Sequence, residues 1–167
     1  MSDSDGPALH ITFVCTGNIC RSPMAEKMFA HQIAERRPSD TVRVTSAGTA
    51  GWHIGRPADQ RTNRVLRDHG YPTDHRAAQV GADHLAADLI VALGRNHVRL
   101  LQDLGAPTER IRMLRSFDPR SSAVAPDVED PYYGGHDDFE EAFAVIAAAL
   151  PGLHDWVDEQ LGRHGST

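Results

Sequence analysis

The sequence has few cysteines, no long apolar run and almost no lysine. Its 167 residues include only 2 cysteines, which are too few for the disulfide framework of a small secreted protein. No stretch approaches the ~18 consecutive apolar residues of a membrane span, and the N-terminus lacks the basic and apolar regions of a cleaved signal. We therefore expect a protein that folds without disulfides in the cytoplasm and does not enter a membrane, with export by a signal-independent route as the alternative.

Metal-ligand spacing and a basic nucleic-acid footprint are also missing. Cys15 and Cys20 do not form a C-x-x-C pair, and none of the 10 histidines recurs at helical spacing, so neither a metal nor another cofactor is predicted. All but one of the 17 Lys and Arg residues are arginine, the side chain suited to forked contacts with phosphate. The net charge of -6 is concentrated after residue 120. These features exclude a strongly basic nucleic-acid-binding protein.

Short runs rich in β-branched residues alternate with helical patterns. Strands are predicted at Leu9–Val14, Val42–Ser46, Asp88–Leu93 and Ile111–Leu114. Helices are predicted after an N-cap at Ser22–Pro23, from near Pro57 to Gly70, over Arg95–Leu104, and along an amphipathic stretch from Phe139 to Leu161. The alternation predicts a single, small, doubly wound α/β domain with a parallel sheet covered on both faces. We expect this domain at residues 9–164, after a flexible segment at 1–8, and we expect a monomer.

The loop after the first strand carries the strongest chemical signal, because ligands of such folds bind beyond the carboxyl ends of the strands. Cys15 ends a strand and Arg21 begins a helix, with Gly17 and Asn18, which tolerate positive φ, between them. Inward-facing N–H groups, the helix N-terminus and the Arg21 fork would cradle a phosphoryl group. The same cradle would favour the Cys15 thiolate, to which Ser22 could donate a hydrogen bond.

This arrangement predicts attack of Cys15 on phosphorus, a phosphocysteine intermediate and release of inorganic phosphate by water. In a simpler interpretation, both cysteines are small buried residues and Arg21 lies on a helix surface. The coincidence of a strand end, a Gly-Asn pair and a Ser-Pro helix start favours the catalytic interpretation. Cys20 either packs in the core or traps an oxidised Cys15 as a reversible disulfide.

Two Asp-Pro pairs compete for the role of proton donor to the leaving group. Position alone does not choose between Asp118 and Asp130. Asp130 is the more attractive, because Tyr132 and Tyr133 beside it could flank an aryl phosphate. However, Asp-Pro pairs also initiate turns, and the two tyrosines could simply cover the core.

The segments Val14–Glu26 (VCTGNICRSPMAE) and Asp130–Gly134 (DPYYG) closely resemble the paired motifs of the low-molecular-weight protein tyrosine phosphatases. The resemblance, to a bacterial member, extends over about residues 9–162. It implies a four-stranded parallel sheet with helices on both faces. It also implies metal-independent hydrolysis of phosphotyrosine monoesters, with phosphotyrosine-containing proteins as partners. By the same resemblance, Cys15 is the nucleophile, Arg21 the phosphate clamp and Asp130 the general acid and base.

The resemblance also assigns the remaining site residues. The predicted phosphate- and substrate-binding set is Thr16, Gly17, Asn18, Ile19, Cys20, Ser22, Trp52, Tyr132 and Tyr133. Ser46 and His75 resemble loop-supporting residues, with ordinary turn or cap roles as the alternative, and Trp52 is either an aromatic wall or a packing residue. Where many relatives have an aspartate after the third strand, this chain has Gly94, so the loop support of that carboxylate is in question.

Three other functions share this scaffold or its cradle. By resemblance, protein arginine phosphatases have a threonine at the position of Ile19 and fewer tyrosines in the acid loop. Thioredoxin-coupled arsenate reductases relay a disulfide through further cysteines, and none follows Cys20. A catalytically silent phosphate or phosphopeptide binder would keep Arg21 without needing an acid, so the presence of Cys15 with Asp130 argues against it.

Overall fold

A computed structural model describes residues 8–38, 41–121 and 125–165 of the chain. The predicted flexible segment 1–8 lies outside these residues except for Ala8, whose N–H donates to the Thr41 carbonyl (3.0 Å). Within the described ranges, no helix is both long and apolar enough to cross a membrane.

A parallel sheet of four strands positions the loop of interest. The strands are β1 (Leu9–Cys15), β2 (Val42–Gly48), β3 (Leu89–Ala92) and β4 (Ile111–Met113), in the order β2-β1-β3-β4. β1 pairs with both β2 and β3, so it is a central strand with its carboxyl end at the change of strand order. The predicted α/β fold class and all four predicted strands are confirmed, although Asp88, Leu93 and Leu114 fall just outside the observed strands.

Helices follow the strands in the order that the sequence predicted. They are α1 (Arg21–Arg36), α2 (Gln60–Asp68), α3 (Ala82–Leu85), α4 (Arg95–Asp103) and α5 (His136–Gly165), and a 3-10 turn lies at Leu114–Phe117. The short α3 was not predicted, because 4 residues are too few to show a helical period. α2 begins later than expected, because Asp59 is its N-cap and accepts a hydrogen bond from Arg61 N.

The start of α1 also differs from the prediction. Cys20, not Ser22, is the N-cap residue, and no described side chain caps the helix. Ser22 lies in the first turn, and its hydroxyl contacts Cys15 Sγ instead (2.9 Å). A helix N-terminus without a side-chain cap keeps its first N–H groups available to an anion.

Apolar layers lie on both faces of the sheet. The larger layer packs α1, α2 and α5 against β1, and its fully buried side chains include Phe13, Met24, Phe29, Leu66, Phe139 and Ile146. The smaller layer packs Val14, Ile90 and Ala92 against Leu101 of α4. Helices therefore cover both sides of the sheet, as predicted.

The long α5 continues through Pro151. At Gly152 it passes so close to the 3-10 turn that a Cβ atom would overlap the carbonyl oxygen of Phe117. This close approach brings Phe117 and α5 together in the larger apolar layer.

Candidate active site

The residues between β1 and α1 form a curled loop, which we call the cradle loop (residues 16–20). Asn18 adopts a left-handed φ of 59°, so the predicted positive φ occurs here. Its side chain stabilises this conformation: Nδ2 donates to Ser22 Oγ (2.7 Å) and Ser46 Oγ (2.9 Å), and Oδ1 accepts from Ala78 N (2.9 Å). This one buried amide thus ties the turn to α1, to β2 and to the stretch around Ala78.

Cys15 lies buried at the end of β1, with its sulfur 2.9 Å from Ser22 Oγ. Because Asn18 already donates to Ser22 Oγ, the Ser22 hydroxyl proton is free to point at the sulfur. At Cys20, burial above all, together with the charge of Asp59, raises the pKa of the thiol to about 12. Both cysteines are free.

Arg21 connects the cradle loop to the segment Asp127–Gly134, which we call the acid segment. Its Nη1 donates to the Val128 carbonyl (2.9 Å), and its Nη2 lies 3.7 Å from Asp130 Oδ2. Arg21 is buried, so the simpler interpretation of this side chain as a surface residue is wrong.

An open cavity of about 260 Å³ brings most of the predicted site residues together. It is lined by Cys15, Thr16, Gly17, Ile19, Cys20, Arg21, Trp52, His53, Asp130, Tyr132 and Tyr133. Trp52 is 74% exposed and Tyr133 is 93% exposed. These two rings stand at the rim, and they are not core residues.

The remaining predicted residues brace the cradle loop from behind. His75 Nε2–H donates to the Asn18 carbonyl (2.8 Å), and burial lowers the pKa of His75, which favours the neutral ring. Ser46 accepts from Asn18 and donates to Glu26 Oε1. Glu26, which sequence reasoning did not single out, thus ends a chain of hydrogen bonds that leads through Ser46, Asn18 and Ser22 to Cys15.

The two candidate acids occupy different environments. Asp130 lines the cavity, and its Oδ1 accepts from Tyr132 N (3.1 Å). Asp118 is buried beside the 3-10 turn and accepts from Arg120 N (2.9 Å). This backbone hydrogen bond lowers the pKa of Asp118, and the residue is not among those that line the cavity. The sequence left open whether an Asp-Pro pair only initiates a turn, and the contact of Asp118 with Arg120 N is of this turn-forming kind.

A buried histidine that the sequence did not reveal supports the cradle loop from the α4 side. His97 is fully buried, and its Nε2 lies 2.9 Å from Thr16 Oγ1. Burial, with a further contribution from Arg21, lowers the pKa of His97 to about 4, so the ring is neutral at neutral pH. The one sequence feature that could have indicated this role is the position of His97 soon after the third strand. Its partner Thr16 is 81 positions away, so no local pattern links the two residues.

The acid segment supplies a carboxylate at the start of α4, next to Gly94. Gly94 is the N-cap of α4 and has no side chain that could accept a hydrogen bond. Asp127 Oδ1 accepts from Arg95 N (2.9 Å) instead. In addition, Val128 N donates to the Leu93 carbonyl (2.8 Å). The upstream end of the acid segment is therefore hydrogen-bonded to the connection between β3 and α4.

Fold and cavity together define a small doubly wound α/β protein with a cysteine in an anion cradle, an arrangement suited to a phosphate ester. Residues 10–165 match the family described as low molecular weight phosphotyrosine protein phosphatase. The chain therefore belongs to this family. It is a protein tyrosine phosphatase, a class of hydrolase.

Individual relatives agree with this family assignment. "Low molecular weight protein-tyrosine phosphatase A" of Mycobacterium tuberculosis is 73% identical over 157 residues, which cover 94% of this chain and 96% of the relative. The "low molecular weight protein-tyrosine-phosphatase" of Streptomyces coelicolor is 49% identical over 156 residues, with coverages of 90% and 94%. The crystal structure of YfkJ from Bacillus subtilis has a TM-score of 0.83 at 34% identity and covers 93% of this chain and 98% of that one.

Proposed function

We propose that the chain hydrolyses phosphotyrosine in proteins through a phosphocysteine intermediate on Cys15. The observation that supports this most directly is the meeting of three groups at one cavity. Cys15 Sγ is 2.9 Å from a hydroxyl donor, and the guanidinium of Arg21 is 3.7 Å from the carboxylate of Asp130. A nucleophile, an anion clamp and a proton donor are the groups that phosphoryl transfer from an aryl ester requires.

In the first step, the Cys15 thiolate attacks phosphorus while the bond to the phenolic oxygen breaks. Arg21 would hold two equatorial oxygens with its fork, and N–H groups of the cradle loop would hold the third. To reach the phosphoryl group, the Arg21 guanidinium exchanges its contact with Asp130 for one with the substrate. Asp130, in its protonated form, then gives its proton to the departing tyrosine oxygen.

In the second step, water attacks the phosphocysteine. The Asp130 carboxylate takes the proton of this water, the S–P bond breaks, and inorganic phosphate leaves. The Ser22 hydroxyl, whose oxygen lies 2.9 Å from the sulfur, would donate to the thiolate that is released. Asn18, Ser46 and His75 keep the cradle loop in the curled conformation that both steps use, and none of these steps calls for a metal or another cofactor.

The aromatic rim supports the choice of a flat aryl ester as substrate. Trp52, Tyr132 and Tyr133 line the cavity together with Ile19, and the rings of Tyr132 and Tyr133 meet edge to face with centroids 5.0 Å apart. Apolar walls of this kind would stack against a phenyl ring. We therefore propose phosphotyrosine, rather than phosphoarginine, as the substrate.

The experiment compares phosphotyrosine and phosphoarginine peptides as substrates of the wild-type protein and of Cys15→Ser. We expect turnover of phosphotyrosine that chelators do not affect. Removal of the nucleophile should lower turnover by at least about 10³-fold, while the variant still captures the phosphotyrosine peptide. Retained turnover in Cys15→Ser would refute the nucleophile assignment, and faster release of phosphate from phosphoarginine would refute the substrate assignment.

A further inference from the structure

An ion pair outside the cavity touches both loops that form it. Asp59 is the N-cap of α2, and its carboxylate accepts from Arg61 N (2.9 Å). The same carboxylate accepts two hydrogen bonds from the Arg61 guanidinium, from Nε to Oδ1 (3.0 Å) and from Nη2 to Oδ2 (2.9 Å). Such a forked pair holds a guanidinium in one orientation.

On one side, this pair is attached to the cradle loop. Asp59 N donates to the Ile19 carbonyl (2.8 Å), and Ile19 lies between Cys15 and Arg21. The start of α2 therefore cannot shift without changing a contact of the cradle loop.

On the other side, the pair is attached to the acid segment. Arg61 Nη1 donates to the Gly134 carbonyl (3.0 Å). The guanidinium carbon lies 5.5 Å from the ring centroid of Tyr132 and 4.5 Å from that of the buried Phe139, distances at which a cation and an aromatic face attract one another. Tyr132 N in turn donates to Asp130 Oδ1, so one of the residues that Arg61 contacts is the residue whose backbone N–H orients this carboxylate.

These contacts complete the support of an otherwise exposed aspartate. The side chain of Asp130 is 48% exposed. Upstream of it, Val128 is held by Leu93 and Arg21. Downstream, Arg61 contacts Tyr132 and Gly134. Asp130 thus lies between two fixed points of the acid segment, Val128 on one side and Tyr132 with Gly134 on the other.

The geometry also separates Arg61 from the phosphate clamp. Its Nε and Nη2 are bonded to the Asp59 carboxylate, which balances its charge, and its Nη1 is bonded to Gly134. It is also not among the residues that line the cavity. Because Nε, Nη1 and Nη2 of Arg61 all have partners, this guanidinium would act by positioning the acid segment and not by binding substrate oxygens.

We propose that Arg61 is a positioning residue that holds the acid segment against the cradle loop, so that Asp130 reaches the leaving-group oxygen. This inference rests on the proposed role of Asp130 as general acid. A correctly placed acid accelerates expulsion of a poor leaving group about 10²–10⁴-fold and is hardly needed for a good one. Removing the contacts of Arg61 should therefore reduce the acceleration that Asp130 gives, and it should do so only for substrates whose leaving group needs a proton.

The test compares kcat/KM for phenyl phosphate, a poor leaving group, with that for nitrophenyl phosphate, a good one. In Arg61→Ala we expect a loss of about 10-fold for phenyl phosphate and less than about 3-fold for nitrophenyl phosphate. Arg61→Lys keeps the charge but cannot reach Asp59 and Gly134 together, so it should resemble Arg61→Ala. Arg64→Ala is the matched control, because Arg64 lies on the same helix, is 64% exposed and pairs with Asp68.

A double-mutant cycle separates positioning of Asp130 from a general effect on the fold. When Arg61→Ala is added to Asp130→Asn, it should cause no further loss with phenyl phosphate, because the acid through which it acts is gone. Inhibition by inorganic phosphate should be unchanged in Arg61→Ala, since the cradle loop keeps its own contacts. Equal losses for both esters, the same fractional loss in the Asp130→Asn background, or weaker phosphate binding would each overturn the proposal.

Failure of the proposed function gives a different result. If Asp130 is not the acid, then Asp130→Asn keeps wild-type discrimination between the two esters, whatever Arg61→Ala does. If Asp130 is the acid but Arg61 does not position it, then Asp130→Asn loses phenyl phosphate turnover selectively and Arg61→Ala does not.

Discussion

Two aspartates followed by proline show how a single residue's surroundings decide its role. Asp118 has its carboxylate occupied by Arg120, through the backbone N–H (2.9 Å) and the guanidinium Nε (3.5 Å). Asp130 has one backbone donor and an arginine at 3.7 Å, and it lies at the cavity. A group that must exchange protons needs an oxygen that can face the substrate, and Asp130 meets this condition.

We predict that Asp130→Asn lowers kcat/KM for phenyl phosphate by about 10²-fold or more and has a smaller effect on nitrophenyl phosphate. Asp118→Asn is the matched control. It should keep the discrimination between the two esters and reduce the melting temperature instead, because a carboxylate bonded to Arg120 is lost. Steady-state kinetics and thermal melts distinguish the two variants. A selective loss of phenyl phosphate turnover in Asp118→Asn would transfer the acid role to that residue.

The residues that sequence predicted best lie within short motifs. The positions of Cys15, Arg21 and Asp130 at one cavity follow from two segments whose spacing and neighbours carry the information. His97 and Arg61 gave no such signal. Their partners are distant along the chain, since His97 contacts Thr16 81 positions away and Arg61 contacts Gly134 73 positions away. A contact of this kind depends on how the strands and helices pack, which a single sequence does not reveal.

At the scale of elements, sequence predicted which helices exist better than where most of them begin, although it placed the start of α4 correctly at Arg95. Apolar periodicity identified α1, α2, α4 and α5, because each buries one face against the sheet or a neighbouring helix. Their starts depend on which polar group satisfies the first N–H groups. Asp59 does so for α2, and Asp127, from another segment, does so for α4. The second arrangement is visible only in three dimensions.

The crossing of α5 over the 3-10 turn leads to a second prediction. Gly152→Ala should lower the free energy of unfolding by at least about 2 kcal/mol, because the new methyl group meets the backbone carbonyl of Phe117, which cannot rotate away. Urea unfolding at neutral pH measures the change.

Gly162→Ala in the same helix is the control. A Cβ at Gly162 meets open space, so this substitution should be neutral or should stabilise the protein by up to about 1 kcal/mol. Equal stabilities of the two variants would show that the close approach at Gly152 is absent in solution.

Across the whole molecule, two buried histidines link stability to pH. Burial, reinforced by Arg36 and Arg37, lowers the pKa of His154 to about 4 from an ordinary 6.5. His97 is shifted to the same extent. Between these two pH values the unfolded chain binds protons that the folded chain does not. The contribution of both histidines to stability is therefore complete above pH 6.5 and is lost as the pH falls towards 4.

We predict that the protein is less stable at pH 5 than at pH 7.5 and that His154→Asn loses less stability over this interval. His154 packs on Phe29 with centroids 4.6 Å apart and donates to Gln32 Oε1 (2.8 Å), so the variant will be less stable at pH 7.5. The pH-dependent part of the difference should nevertheless shrink by about 1 kcal/mol or more. Urea unfolding at both pH values gives this quantity, and His31→Gln, at a side chain that is 40% exposed, controls for the loss of a histidine. An unchanged pH dependence in His154→Asn would contradict the prediction.

The architecture as a whole was predictable from sequence, whereas the loops that complete the cavity were not. Four apolar strands alternating with helices leave few arrangements other than a parallel sheet with helices on both faces. The stretch that carries Trp52 and the acid segment have no periodicity, so their paths follow from contacts such as Asp59 with Ile19 and Val128 with Leu93. These contacts join residues that lie far apart along the chain, so a single sequence does not reveal them.

The central place of β1 has a consequence for how the protein is made. Cys15 ends a strand that is synthesised before both of its neighbours, β2 and β3, the second of which ends at Ala92. The acid segment emerges later still. A nascent chain therefore carries Cys15 well before it carries the acid segment, so the proposed site cannot be complete until Asp130 has been synthesised.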